Sequence, residues 1–271
     1  MKILANDGIE KSAVEKLTKA GFVVTTEKIA QENLAEHINK FEVLTVRSAT
    51  KVRKELIDKM TNIKLIIRAG VGMDNIDVAY AESKGIAVRN TPLASSLSVA
   101  ELAIAHLFGI VRFLPESNRR MPTEGFTGFK EMKEKFSKGT ELRGKTLGLI
   151  GFGNIAVETA KIALGLGMNV VAYNRTSKTV LITIPLGNGI SASTSISTVS
   201  KEEVLTQSDF ISVHTSGSNQ SIFKEDFVRM KDGVVIINCA RGGVINENEL
   251  LEFLNNGKVA AAGIDVFDIE V

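Results

Sequence analysis

Over the first ninety residues, short apolar runs alternate with stretches in which apolar residues recur every three or four positions. Ile3-Leu4-Ala5, Phe22-Val23-Val24, Val43-Leu44-Thr45-Val46, Leu65-Ile66-Ile67 and Ile86-Ala87-Val88 have the unbroken apolar character of strands covered on both faces. Between them lie amphipathic stretches, Lys11 to Ala20 and Gln31 to Lys40, with Gly21 and Gly85 as helix stops. Strands joined by crossovers of that length pair in parallel, with helices on both faces of the sheet.

From Ser98 to Phe113 the run SVAELAIAHLFGIVRF is apolar around most of a helix circumference. That face is too wide for an ordinary surface helix and suits a domain connector or a subunit contact. Pro115 to Leu142 has little strand signal and reads as loop-rich. The alternation then resumes, with strands expected at 146–150, 170–173, 210–213, 234–238 and 260–264. Helices are expected to begin near Asn154, Ser200, Lys224 and Glu247. The Ser/Thr-rich tract Ser191 to Ser200 reads as a surface loop. The expected architecture is α/β, two doubly wound parallel-sheet domains, a flavodoxin-like one over residues 1–97 and a Rossmann-like one over 98–271.

Composition narrows the function classes. Hydrophobic residues make up 44% and charged residues 24% of 271, a globular balance. Thirty-three basic residues against thirty-one acidic ones leave a net charge of +2, which argues against a nucleic-acid or anionic-membrane partner. A single cysteine, Cys239, and three scattered histidines exclude an internal disulfide and give no metal-ligand spacing. The amino-terminal MKILANDGIE lacks the apolar core of a signal peptide, and no apolar run is long enough to span a bilayer, so a cytoplasmic protein is expected.

The strongest chemical signal is GLIGFGNIA, Gly148 to Ala156, between a predicted strand and a predicted helix. Gly151 suits a tight turn, Gly153 a close approach of backbone to a pyrophosphate, and Ala156 close helix–strand packing. Asn154 and Ile155 open a helix whose N–H groups face the phosphates. At the end of the next strand, where a carboxylate commonly holds the ribose of NAD, stands Asn174, followed by Arg175 and Lys178. Without the anion, and with two cations beside it, the site accepts NAD or NADP and leans toward NADP.

Three further segments, RAGVGMDNID (68–77), TPLASSLSVAEL (91–102) and INCARGGVINENEL through AAGIDVF (237–267), stand in order around this turn. With them the chain resembles the D-isomer-specific 2-hydroxyacid dehydrogenases along almost its whole length. The resemblance implies that Arg241 binds the substrate carboxylate and polarises its carbonyl, and that Glu270 is the acid that partners a catalytic histidine. It implies that Asp265 orients the nicotinamide amide, with Thr215, Cys239 and Ala240 also lining the cofactor. Val71 and Gly72 would offer backbone N–H groups to the substrate carboxylate, and Arg47 and Arg68 would hold a phosphate at its far end. The implied substrate is a small 2-hydroxy or 2-oxo acid, 3-phosphoglycerate first, on the strength of VRSATKV and RAGVGMDNID. The alternatives are NADPH-dependent reduction of glyoxylate or hydroxypyruvate, and a catalytically silent cofactor-sensing protein of the same fold. A homodimer through the Ser98–Phe113 helix is expected.

The family's histidine motif lies some twenty or more residues beyond the position that Glu270 matches, whereas this chain ends at Val271. His37 lies on a predicted surface helix and His106 on the apolar connector. His214 stands near the cofactor edge, where the family often has a histidine without a proton-transfer role. The expectation is a 271-residue form, without the family's closing carboxyl-terminal return, that binds dinucleotide and turns over slowly.

Overall fold

The computed structural model describes residues 1–217 and 219–269. The chain divides into two compact units, residues 1–95 and 96–271.

The first unit runs β1 (Lys2–Ala5), α1 (Lys11–Lys19), β2 (Val23–Thr25), α2 (Leu34–His37), β3 (Val43–Val46), α3 (Lys54–Ile57), β4 (Leu65–Arg68), α4 (Val78–Ser83) and β5 (Ala87–Asn90). Its five strands are all parallel, in the order β2-β1-β3-β4-β5. All four residues of the central β3 are buried, as a strand covered on both faces requires. Leu4, Leu44, Ile66 and Val88 form the sheet's share of a core that Leu34, Ile38 and Ile57 complete. The helix expected over 31–40 is broken: α2 is a single turn flanked by 3-10 turns at Gln31–Asn33 and Ile38–Lys40. The tighter final turn places Asn39 where it accepts from the N–H of Thr61 and donates to the carbonyl of Lys59, both at 2.8 Å.

The second unit begins with α5 (Ser96–Val111), α6 (Leu114–Glu124) and α7 (Phe129–Phe136). The Rossmann pattern follows: β6 (Thr146–Ile150), α8 (Asn154–Gly165), β7 (Asn169–Tyr173), β8 (Thr179–Gly187), β9 (Ile190–Ser197), α9 (Lys201–Gln207), β10 (Phe210–Val213), α10 (Lys224–Arg229), β11 (Val234–Asn238), α11 (Glu247–Asn255) and β12 (Val259–Ile264). Its parallel sheet has the order β12-β11-β10-β6-β7, so the direction of winding reverses between β6 and β10. One face of this sheet packs Leu147, Leu149, Phe210, Val235 and Ile237 under α5 and α8, and the other packs Ile211, Val213 and Ile236 under α9 to α11.

Three sequence expectations are corrected here. Residues 115–142 are not loop-rich but carry α6 and α7, with Pro115 in the first turn of α6, where its missing N–H costs nothing. Arg120 joins the two helices by pairing with Glu116, Glu124 and Glu131 at 2.8–3.3 Å. The Ser/Thr tract is strand β9, paired antiparallel with β8 through an Asn188-Gly189 turn in which both residues have positive φ. Ile182 and Ile196 turn inward to the α8 side, while Thr179–Ser197 and Thr183–Ser193 hydroxyls pair across the outer face at 2.8 and 3.2 Å. The apolar helix, expected as a domain connector or subunit contact beginning at Ser98, runs from Ser96 and packs within the second unit. It buries Ala100, Ala103, Ile104, Leu107 and Val111. His106 on this helix lies against Gly263, where an added Cβ would meet its own Cβ at 2.9 Å.

Candidate functional site

Strand register in the second unit sets one row of residues across the sheet. Ile150 pairs with Tyr173 on one side and Val213 on the other, Val213 with Asn238, and Asn238 with Ile264. The residues that follow this row, Asn174, Gly151, His214, Cys239 and Asp265, therefore leave five parallel strands at one level, at their carboxyl ends. The order of winding reverses within this row, and a crevice at such a point is where open α/β sheets take their ligands.

At the centre of the row, Gly151 has φ +89° and lies so close to β10 that a Cβ would stand 2.8 Å from the carbonyl oxygen of His214. Only glycine fits. An added Cβ at Gly153 would meet nothing within 4 Å, so the backbone there borders open space. Gly153 is the N-cap of the twelve-residue α8, and no side chain caps it. The first-turn N–H groups of Asn154, Ile155 and Ala156 thus face that space without intrahelical acceptors. Open backbone, a donor cluster and the positive end of a helix dipole fit a dinucleotide pyrophosphate.

Asn174 is engaged within the protein. Its Oδ1 accepts from the N–H of Phe152 at 3.2 Å and its Nδ2 donates to the carbonyl of Thr176 at 2.9 Å. Arg175 and Lys178 are exposed beyond it, and the Lys178 ammonium lies 5.7 Å from the centre of the Phe152 ring. On β10, Ser212 Oγ and His214 Nε2 are 2.9 Å apart, while His214 Nδ1 is enclosed without a hydrogen-bond partner. Burial pulls the His214 pKa down to about 4, so the ring is neutral at physiological pH. Thr215 follows it, its hydroxyl accepting from Ser221 at 3.0 Å.

Burial, with the Asp265 carboxylate beside it, pushes the Cys239 thiol up to about 12 and keeps it a neutral wall residue rather than a nucleophile. Beyond it the chain turns through Ala240 and Arg241. Asn238, buried at the end of β11, accepts from the Ala240 N–H and donates to the Arg241 carbonyl, both at 3.1 Å. Arg241 Nη1 donates to the carbonyl of Ala240 at 2.7 Å. Asp265, exposed, is anchored by its N–H on the Asn238 carbonyl at 3.0 Å. Glu270 lies outside the described residues.

In the first unit, Val46 pairs with Arg68, so Arg47 and Arg68 stand at the carboxyl ends of neighbouring strands. The N–H of Arg47 donates to Asp7 at 2.6 Å and its carbonyl accepts from Asn75 at 2.7 Å. Asp7 also accepts from the N–H and hydroxyl of Thr50, and Asn75 donates to the Thr50 carbonyl, so the half-buried Asp7 and the buried Asn75 together fix the 47–50 loop. Burial pushes the Asp7 pKa up, but the Thr50 hydroxyl and the two backbone N–H groups outweigh it, and the net shift is downward. Val71 and Gly72 lie in the loop after β4, where Asn90 donates to the Val71 carbonyl at 2.6 Å. Arg68 folds over that loop, its Nη1 3.3 Å from the Ala69 carbonyl.

The sequence reading missed this second tier: Asn238, Asn75, Asn90 and Asp7. An asparagine closing an apolar strand, as in VVIIN and IAVRN, was the available signal, because a buried amide there needs backbone partners. Among the described residues no three His, Cys, Asp or Glu side chains cluster to hold a metal. No single described helix is long and apolar enough to cross a membrane.

Two Rossmann-type features, the glycine turn on a reversal point and the row of strand ends, define a nicotinamide-dinucleotide-binding unit. Residues 104–271 match the NAD binding domain of the D-isomer specific 2-hydroxyacid dehydrogenases. A hydroxypyruvate reductase of Thermotoga maritima is 41% identical over 273 residues, covering 99% of this chain and 83% of that protein. A D-3-phosphoglycerate dehydrogenase of Methanocaldococcus jannaschii is 39% identical over 274 residues, covering all of this chain and 49% of that protein. The chain spans about half the length of the curated phosphoglycerate dehydrogenases it matches. Among solved structures, an acyclic imino acid reductase, Bsp5, in complex with NADPH and D-Arg superposes with a TM-score of 0.84 at 27% identity, covering 100% of this chain and 84% of that one. The chain belongs to the D-isomer-specific 2-hydroxyacid dehydrogenase family, oxidoreductases that use NAD or NADP.

Proposed function

We propose that the protein interconverts a small 2-hydroxy acid and its 2-oxo acid, with 3-phosphoglycerate as the first candidate and reduction of glyoxylate or hydroxypyruvate as the second. The single observation that carries the reaction type is the row Asn174, Gly151, His214, Cys239, Asp265, with Arg241 held on its loop by Asn238. Arg47 and Arg68, on neighbouring strand ends, favour a phosphorylated acid, which on this reading places the reaction at the entry to serine synthesis. The basic turn after Asn174 and the 41% identity to a hydroxypyruvate reductase favour the second candidate and NADP.

A nicotinamide dinucleotide, when bound, would supply the hydride chemistry. Gly151, Gly153 and the first turn of α8 would hold its pyrophosphate, and Asp265 would orient its amide. The guanidinium of Arg241 binds the substrate carboxylate and draws charge from the carbonyl oxygen, two tasks that a planar fork of donors performs together. Within the first unit, the loop after β4 offers the backbone N–H groups of Val71 and Gly72 to a carboxylate. The assembly proposed is a homodimer through α5, which keeps Leu97, Leu102 and Phe108 exposed on its outer side. The cytoplasm is the proposed location.

The experiment is nicotinamide absorbance with 3-phosphohydroxypyruvate, hydroxypyruvate and glyoxylate, each with NADH and NADPH, on the native chain and on Arg241→Gln. Turnover that the variant loses supports the reaction type, and a preference for the phosphorylated acid that Arg47→Gln and Arg68→Gln erase supports the first substrate. Turnover is expected to be slow, so the reaction is followed over hours; a rate no higher than the uncatalysed one with all three acids contradicts the reading and favours a cofactor-sensing role.

A further inference from the structure

The carboxamide of Asn174 does more than stand where a carboxylate is missing. Its oxygen takes the Phe152 N–H, inside the glycine turn, and its nitrogen reaches the Thr176 carbonyl, inside the basic turn. One side chain thus ties the pyrophosphate turn to the segment that carries Arg175 and Lys178. The far end of that segment is tied as well: the Lys178 N–H donates to Thr198 Oγ1 and the Thr198 N–H donates to the Lys178 carbonyl, both at 2.9 Å. Between the two ties, Lys178 is held over the Phe152 ring. Arg175 and Lys178 have no carboxylate partner among the described residues, and residues 159–201, which include the whole β8–β9 hairpin, contain no Asp or Glu.

We infer that Asn174 is a positioning residue for nucleotide choice: its amide braces the 174–178 turn so that Arg175 and Lys178 form a fixed seat for a 2′-phosphate. This rests on the reading that the cofactor unit favours NADP. A cation on a loose turn must lose its freedom when the phosphate binds, whereas a braced one has lost it already, so the brace raises affinity for the phosphorylated nucleotide alone. The chemistry requires an amide. A carboxylate would keep the acceptor for Phe152 but would set a second oxygen against the Thr176 carbonyl, and alanine would remove both ties without adding charge.

The alanine variant separates this from simple relief of repulsion, in which any uncharged residue serves equally well. Adenosine 2′,5′-bisphosphate and 5′-AMP, which differ only in the 2′-phosphate, are titrated calorimetrically into the native chain, Asn174→Ala, Thr198→Val and Arg175→Gln/Lys178→Gln. The native chain should prefer the bisphosphate, and Asn174→Ala should lower that preference about tenfold, on the order of one charge-assisted bond. Thr198→Val, which loosens the other end of the turn from outside the site, should lower it in the same direction. Preference unchanged in both Asn174→Ala and Thr198→Val, with the double cation variant losing it, would overturn the brace and leave the NADP reading standing. No preference in the native chain, or a preference untouched in the double cation variant, would overturn both.

Discussion

Asn238 fastens the loop that carries Arg241, accepting from the Ala240 N–H and donating to the Arg241 carbonyl at 3.1 Å each. The arginine is therefore placed by the strand before it. Because Asn238 is buried, Asn238→Ala leaves a backbone donor and acceptor without their partner, at an expected cost of about 1–3 kcal/mol in urea unfolding. The variant should also lose reduction rate with 2-oxo acids while keeping native affinity for 5′-AMP, which the proposed site would take at the Asn174 end of the row. Equal losses in both would show that the clamp supports the whole sheet edge rather than the arginine.

Asp7 does the same for the 47–50 loop of the first unit, and its lowered pKa makes the contribution pH-dependent. A carboxyl whose folded pKa lies below its unfolded value stabilises the fold above about pH 4 and loses that contribution as pH falls through the folded value. Asp7→Asn should therefore destabilise the protein at pH 7 and have a smaller effect below pH 3, read from urea midpoints across that range. A penalty independent of pH would mean that the hydrogen bonds matter and the charge does not.

His214 works in a higher window. Its folded pKa of about 4 lies below the ordinary 6.5, so the unfolded chain binds the extra proton between these values. Stability from the neutral ring is complete above about pH 6.5 and declines as pH falls toward 4, by up to about 3 kcal/mol at 1.36 kcal/mol per unit. His214→Asn should flatten this part of the stability profile. A native profile already flat between pH 7 and 4.5 would contradict the enclosed, neutral histidine.

Much of the fold was legible because the strands are apolar runs bounded by glycine, and β6, β10 and β11 stand where those runs predict. The β8–β9 hairpin was not read, although Asn188-Gly189 is a strong hairpin signal. Its serines and threonines suggest a loop by composition, and only the inward turn of Ile182 and Ile196 shows the two-residue period. The helices over 114–136 were hidden by Pro115, Pro122, Gly125 and Gly128, while the helical signal lies in the spacing of Arg120 from Glu116 and Glu124 and in the buried Met132. In the site, Gly151, Gly153 and Arg241 are visible as motifs. Asn75 and Asp7 are not, because the backbone they hold is distant in sequence, and Asn238, whose partners lie two and three residues on, is marked only by an amide closing an apolar strand.

The outer side of α5 tests the assembly. Leu102→Lys with Phe108→Glu changes only exposed positions, so folding stability should change by less than about 1 kcal/mol. In sedimentation the native chain should run at twice the chain mass and the variant at the chain mass. A native monomer at micromolar concentration would remove the dimer from the account.

The central claim, that the glycine turn at the head of α8 receives a nicotinamide dinucleotide, is tested most directly at Gly153. An added Cβ there meets nothing within 4 Å, and the φ of −87° suits any residue, so Gly153→Val should fold as the native chain does. The valine would occupy the space where backbone must approach the pyrophosphate. Fluorescence titration with NADPH and NADH should therefore show binding by the native chain and a loss of about a hundredfold or more in the variant, with the thermal midpoint unchanged in the absence of nucleotide. Equal nucleotide affinity in the native chain and Gly153→Val would contradict the account.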